Sequence, residues 1–563
     1  MGRNLLPSMP SMNVFRPFLL AVLAAATALT PAIADAPGHP AKSDPVLDYV
    51  RARAADDLGE LSLAANGYAA AAAENPGDTT LALRAYRQAV AAGNMVLALR
   101  TAHVLDAQKS LPPDGTLLLL ADAMSTKDWK RARALTDRVA GEKLFAFMIP
   151  VMNAWIAYGS HDGDPLAPLK ALPPGSLSET YGSEHQGLLL IATGKESEGV
   201  AAINALQLPD GARSARLRIA AAAELDRRHK HADALAMLVG DAPAIVSARA
   251  ILTDRRKLPG AIETPPQGIG ELYVRVAADL NRQQAAPLAL GFARIATMLM
   301  PDASEPWLVT ASLLSLGGAD EAGLEALGHV SPDDPFAASV RDTRVMLLVR
   351  AGRSDQALAE AQDATRAPGA TVSDWARLGD LLSAAKKPAD AAKAYDGALA
   401  LVGGDKAAAE IAWPLLLQQA NAVLEAGDWP TARSKAARAL ALAPQQPEVL
   451  NFLGYSELEH GEDIADAGAM IAKASALAPD SPSITDSLGW SWYLRGRFDR
   501  AIPLLERAAQ GAPAESDINE HLGDAYWKAD RKLDARYAWR AALVVADDDQ
   551  KARIQAKIDN GLT

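Results

Sequence analysis

Apolar and polar positions alternate with the period of amphipathic helices along most of this chain, and over its last third the helices themselves repeat. The pairs Leu453-Gly454, Leu488-Gly489 and Leu522-Gly523 fall 35 and 34 residues apart. Behind each glycine an alanine recurs where a second helix should begin (Ala467, Ala501, Ala535), and another follows seven residues on (Ala474, Ala508, Ala542). Pro479 and Pro513 close the first two units, because proline has no amide donor and clashes with the preceding turn. The copy before these carries Ala432, Ala439 and Pro444, with Ala420 in the glycine position. Leu378-Gly379 with Ala391, Tyr395 and Ala398 makes a fifth copy. Small residues at these points let two antiparallel helices cross closely. A large side chain at Gly489 or Ala501 would wedge them apart.

Upstream the same spacing recurs more loosely. Ala289, Ala296 and Pro301 fit it, as do Ala64, Tyr68, Ala71 and Pro76, and Ala357 and Ala364 behind Gly352. Residues 82–107 and 117–139 predict two further helix pairs, the second with Trp129 and Ala132 at its turn. Between about 144 and 265 helical periodicity persists without a register, and Pro173-Pro174-Gly175 and Pro265-Pro266-Gln267-Gly268 predict breaks. The expected organisation is all-α: helix pairs over 35–143, a degenerate helical segment over 144–265, a regular array over 266–546 and a capping helix over 547–563. The degenerate segment is expected to join two superhelical arms. Asp547-Asp548-Asp549 suits the start of the last helix, where carboxylates meet the positive end of the helix dipole.

A 34-residue helix-turn-helix with small residues at its crossing resembles the tetratricopeptide repeat (TPR). The resemblance implies a solenoid of stacked antiparallel helix pairs forming a superhelix. The C-terminal succession narrows it: Asn451-Phe452-Leu453-Gly454-Tyr455-Ser456, Asp486-Ser487-Leu488-Gly489-Trp490, then Glu520-His521-Leu522-Gly523-Asp524-Ala525-Tyr526-Trp527. From about residue 270 to 545 the chain resembles exported TPR proteins of Gram-negative bacteria, among them an adaptor lipoprotein of a carboxyl-terminal processing protease. That likeness implies protein partners, a periplasmic protease and its substrates among them. The chain departs from the lipoprotein by having no cysteine to carry a lipid.

Composition adds a destination and removes several chemistries. Arg3 and Arg16 precede an apolar stretch from Phe18 to Leu29, then Ala32-Ile33-Ala34 and Asp35. This is the pattern of a secretory signal peptide cleaved after Ala34, and it predicts a periplasmic protein with no stable membrane span after cleavage. The absence of cysteine excludes disulfides, thiolate metal sites and a cysteine nucleophile. The whole chain has 56 basic and 68 acidic side chains. Removing residues 1–34 takes away two arginines and leaves it more acidic still. A nucleic-acid partner needs a basic face, so none is expected.

No nucleophile elbow, phosphate-cradling loop or dinucleotide fingerprint occurs. The chain is therefore expected to be no enzyme and to use no cofactor or metal. His229-Lys230-His231 lacks the four-residue spacing of a helical zinc pair and predicts a solvated turn, and His161-Asp162-Gly163-Asp164 predicts a turn after the helix of Trp155 and Tyr158. The candidate site is instead the concave face. Residues three before, one after and four after each crossing glycine share one side of the first helix. They give Asn451 and Tyr455, then Asp486, Trp490 and Tyr493, then Glu520, Asp524 and Trp527 as candidate protein-binding residues. Trp490, Tyr493 and Trp527 are expected to form an exposed aromatic strip, with Trp492 and Tyr526 filling the packing position. Two functions fit: a periplasmic scaffold or adaptor, or a support component of an outer-membrane or polysaccharide export machine.

Overall fold

A computed structural model describes residues 45–562, apart from 207, 209, 210, 368, 404, 405 and 463. The expected signal peptide and its cleavage site lie outside the described residues. Among the described residues there are 29 α-helices and no strand, so the all-α expectation holds. Most helices pair as antiparallel hairpins of 13 or 14 residues per arm, such as Pro482–Leu494 with Phe498–Gly511. Proline opens several of them, Pro388–Leu401 and Pro447–Glu459 among others. Its missing amide donor costs nothing in a first turn. The crossing residues behave as the repeat requires: Ala501, Leu505 and Ala508 are fully buried, and a Cβ on Gly489 would lie 2.8 Å from Leu505 Cδ2.

In the C-terminal array the core is divided repeat by repeat. Ala391, Tyr395 and Ala398 belong to one apolar cluster. Ala432 and Ala436 join Leu453 in another, and Ala501 and Leu505 join Trp539 and Ile554 in the last. Each hairpin thus leans on its neighbours alone, as in a one-dimensional stack.

The N-terminal half is built differently. A single apolar core runs from Ala65 to Phe336, unbroken across residues 143 and 265. Its centre is the helix Pro265–Arg282, on which Ile269, Leu272, Tyr273 and Ala277 are completely buried. This helix packs against Pro113–Ser125 and Ile149–Ser160. The Tyr273 hydroxyl donates to the Leu117 carbonyl at 3.3 Å, and the Tyr181 hydroxyl, from Leu177–Ala192, donates to Asp279 at 2.7 Å. Arg216, from Ala212–Arg227, is buried and pairs with Glu271 at 2.9 Å and Glu305 at 3.0 Å. Four successive inner helices therefore coil around a fifth. The next helix, Ala286–Leu299, closes the coil by packing on Thr79–Ala92.

Two expectations change. The segment over 144–265 is no joint between arms, because Trp155, Tyr181, Leu189 and Ala221 all lie in this common core. Pro265-Pro266-Gln267-Gly268 is no break either. Thr264 caps the helix in a reciprocal capping box with Gln267, the prolines occupy its first turn, and Gly268 lets it approach Trp155. A Cβ there would sit 2.1 Å from the indole Cε2. Pro173-Pro174-Gly175 is a turn as expected, leading to Ser176, which caps Leu177–Ala192. The missing register has its cause in the helices themselves. His231–Met237 has only seven residues, and among the described residues Pro243–Thr253 pairs along its length with no neighbouring helix as a hairpin arm would.

Candidate protein-binding groove

The first helices of the last four hairpins are Lys406–Glu425, Pro447–Glu459, Pro482–Leu494 and Ser516–Lys528. They form one row, and the final helix, Asp548–Asn560, extends it. Asp547 caps that helix in a capping box with Gln550, as the acidic run suggested.

The row gathers all eight sequence-predicted residues, but it packs the aromatics rather than presenting them. Trp490 is half-buried and stacked on both faces. Tyr493 lies 4.4 Å from it on its own helix, and His521 lies 4.0 Å from it on the next. Its indole N–H donates to Glu459 at 2.7 Å, so the third neighbouring helix is tied in as well. Trp527 packs at 5.3 Å from Trp539, with the Lys532 ammonium 4.1 Å over its ring. Tyr526 is buried and donates to Glu506, while Trp492 lies under Arg495 and Arg500. The open strip expected from the sequence is thus a covered one. The cause is the neighbouring helix: a residue two before the next glycine, His521, lands on the ring one after the previous glycine.

The polar candidates are equally engaged. Asp486 is buried and its Oδ2 lies 2.9 Å from His521 Nδ1. Burial opposes charge on this imidazole, but Asp486, with Asp517 and Asp524 nearby, outweighs it, and His521 titrates above its ordinary value. Glu520 and Asp524 are buried against the final helix. Arg553 reaches Glu520 at 2.8 Å, and Lys557 reaches both Glu520 and Asp524 at 2.6 Å. Trp539 donates to the other oxygen of Asp524 at 2.8 Å. Asn451 and Tyr455 are half-buried. The Tyr455 hydroxyl is pushed up by burial and by the carboxylates of Glu459, Asp486 and Asp517.

Sequence reasoning passed over His521, Glu459, Arg553 and Lys557. The last two carried a readable signal: they stand four apart on a helix and each follows its carboxylate by 33 residues, close to the repeat step. The upstream part of the row is less covered. Leu417 and Leu424 are half-buried, and Gln418, Glu425 and Glu459 are exposed.

A cavity of about 360 Å³ lies elsewhere, between Ala337–Arg350, Ser354–Arg366 and Val372–Ala384. Asp342, Ala361, Ala364 and Asp374 are among its walls. Asp374 stands five before its glycine, where the later repeats bury Val449, Ile484 and Ile518. The seam is unfilled because a carboxylate replaces a branched apolar side chain. Among the described residues no helix is long and apolar enough to cross a membrane, and no group of three or more potential metal ligands gathers.

No protein-family model matches the chain, and no curated protein matches it. Among solved structures it is similar to the APC/C hetero-tetramer Cut9-Hcn1, at 14% identity and a TM-score of 0.37, over 85% of this chain and 96% of that one. It is similar to a tetratricopeptide repeat protein from Parabacteroides merdae at 12% identity and a TM-score of 0.38, over 46% of this chain and 97% of that one. A third is YrrB, a TPR protein with an unusual peptide-binding site, at 17% identity and a TM-score of 0.24, over 33% of this chain and 91% of that one. Such likenesses add no functional information. The fold stands on the packing described above: an all-α solenoid of TPR-type hairpins.

Proposed function

We propose that this chain is an exported scaffold that holds partner proteins along the concave face of its C-terminal array. In this reading it works in the periplasm and brings envelope proteins to a protease. One observation carries the binding reading, the unequal state of the two grooves. The N-terminal coil is filled by the chain's own helix Pro265–Arg282. The row from Lys406–Glu425 to Pro482–Leu494 keeps half-buried Leu417, Leu424 and Tyr455 beside the exposed carboxylates of Glu425 and Glu459. Half-buried apolar side chains rimmed by charge are the ordinary make-up of an interface. The export reading is supported by the Arg3-to-Ala34 pattern, and the protease by the resemblance of the C-terminal repeats.

Affinity capture with the mature chain from extracts of its own cells tests this, with partners identified by mass spectrometry. A protease and cell-wall hydrolases are expected. Recovery of membrane export proteins instead would favour the support role in an export machine. N-terminal sequencing of the native protein should begin at Asp35, and intact Met1 would defeat export with cleavage.

A further inference from the structure

The terminal helix shows what this concave face accepts. At the last repeat two buried carboxylates, Glu520 and Asp524, are met by Arg553 and Lys557 from the chain's own final helix. Upstream the row carries Glu425 and Glu459, and the helix Val372–Ala384, which packs against Lys406–Glu425 one hairpin earlier, carries Asp380. Asp380 accepts from the Tyr395 hydroxyl at 2.7 Å and Glu459 from the Trp490 indole at 2.7 Å. None of the three is in an ion pair among the described residues, although the charge of Arg377, one turn earlier on the same helix, acts on Asp380. The field they make is felt by neighbouring groups. Burial and the charge of Asp380, with Glu425 adding to it, push the Tyr395 hydroxyl up, and Glu459 acts likewise on Tyr455. On the same helix as Glu425 stand Leu417 and Leu424, half-buried against the core clusters beneath them.

We propose that Asp380, Glu425 and Glu459 receive a cationic segment of a partner protein, which does for the upstream row what Arg553 and Lys557 do at its end. The proposal rests on the scaffold reading and names the chemistry of its partner. Spacing follows from the fold. Neighbouring helices in such a stack lie about 10 Å apart, which an extended chain covers in about three residues. A lysine or arginine at every third position, with small apolar residues between, therefore matches both the carboxylates and the leucines. Opposite charges at a rim govern encounter and salt dependence, so binding should weaken as ionic strength rises.

The test uses the full mature chain and a fluorescein-labelled peptide with lysine at every third position and alanine between. The control peptide carries glutamate in place of lysine. Fluorescence anisotropy should show salt-sensitive binding of the lysine peptide and none of the glutamate peptide. The variant Asp380→Asn/Glu425→Gln/Glu459→Gln, with unchanged helicity and melting, should bind at least tenfold more weakly. Equal affinity of the variant and the parent, or no binding of the lysine peptide, overturns the proposal. Parallel capture from cell extracts separates the two levels. Partners recovered equally by parent and variant sink the cationic proposal and leave the scaffold standing, whereas no specific partner for either sinks both.

Discussion

Arg294 donates its Nε–H to the carbonyl oxygen of Ala91 at 3.1 Å, across 203 residues of sequence. Ala91 lies in the last turn of Thr79–Ala92, so the cation sits at the negative end of that helix. Gly93, at φ +78°, turns the chain away just there, and a Cβ on it would lie 2.8 Å from the guanidinium. Burial pushes the Arg294 pKa down to about 10, with only the charge of Glu325 acting against it. With Tyr273 bonded to Leu117, this contact makes the N-terminal half a closed body. The C-terminal half is an open stack.

Closure predicts action at a distance. Replacing Arg294 with alanine should orphan the Ala91 carbonyl and cost about 1–3 kcal/mol. Hydrogen exchange should then rise in Thr79–Ala92 as well as in Ala286–Leu299. Exchange that changes only around residue 294 would refute the closed coil.

The C-terminal array predicts the opposite. Gly489→Leu or Ala501→Leu forces a side chain into the crossing of Pro482–Leu494 with Phe498–Gly511, where Leu505 already fills the space. Overpacking of this kind costs about 1–3 kcal/mol. Because the apolar clusters there are separate, exchange should rise in the adjacent hairpins only. A uniform rise along the chain would contradict a nearest-neighbour stack.

These two halves were unequally legible in the sequence. A hairpin crossing writes itself locally, as Gly489, Ala501 and Ala508 at fixed offsets, so the array could be read directly. The N-terminal closure joins Tyr273 to Leu117 and Arg294 to Ala91, and no short spacing encodes a contact across 156 or 203 residues. Pro265-Pro266 misled for a different reason: prolines mark helix starts as well as breaks, and here the Thr264–Gln267 capping box and the packing of Gly268 on Trp155 mark a start. At the groove, helical offsets placed Trp490 and Asp486 on the inner side but said nothing about the next helix. His521 decides whether those side chains are open, and its partner lies 35 residues away.

The His521–Asp486 pair predicts a pH dependence with a definite sign. His521 titrates above its ordinary value because Asp486 outweighs its burial. A group whose pKa is raised on folding stabilises fully below its unfolded pKa, and that stability is lost as pH rises through the folded value. Asp486→Asn should therefore cost most stability below about pH 6.5, the ordinary histidine value. The difference from the parent should shrink as pH rises past neutrality. In the variant, nuclear magnetic resonance of the imidazole should show a lower His521 pKa than in the parent. An unchanged pKa would show that Asp486 is not its determinant.

The last prediction separates packing from recognition at Trp490. Both faces of this indole are covered and its N–H is used by Glu459, so its truncation should act on stability first. Full burial of an aromatic is worth about 3–5 kcal/mol on replacement by alanine. For a half-buried ring the loss should be about 2 kcal/mol, read by chemical denaturation of the Trp490→Ala protein. Exchange should rise in Pro447–Glu459 and Ser516–Lys528, the helices that supply Glu459 and His521. Trp490→Phe keeps a ring between Tyr493 and His521 and removes only the bond to Glu459, so it should cost about 1 kcal/mol. Binding of the lysine peptide should survive Trp490→Phe, and releasing the Glu459 carboxylate from the indole should strengthen it slightly. Loss of binding in a Trp490→Phe protein of normal stability would instead make the indole itself a contact residue.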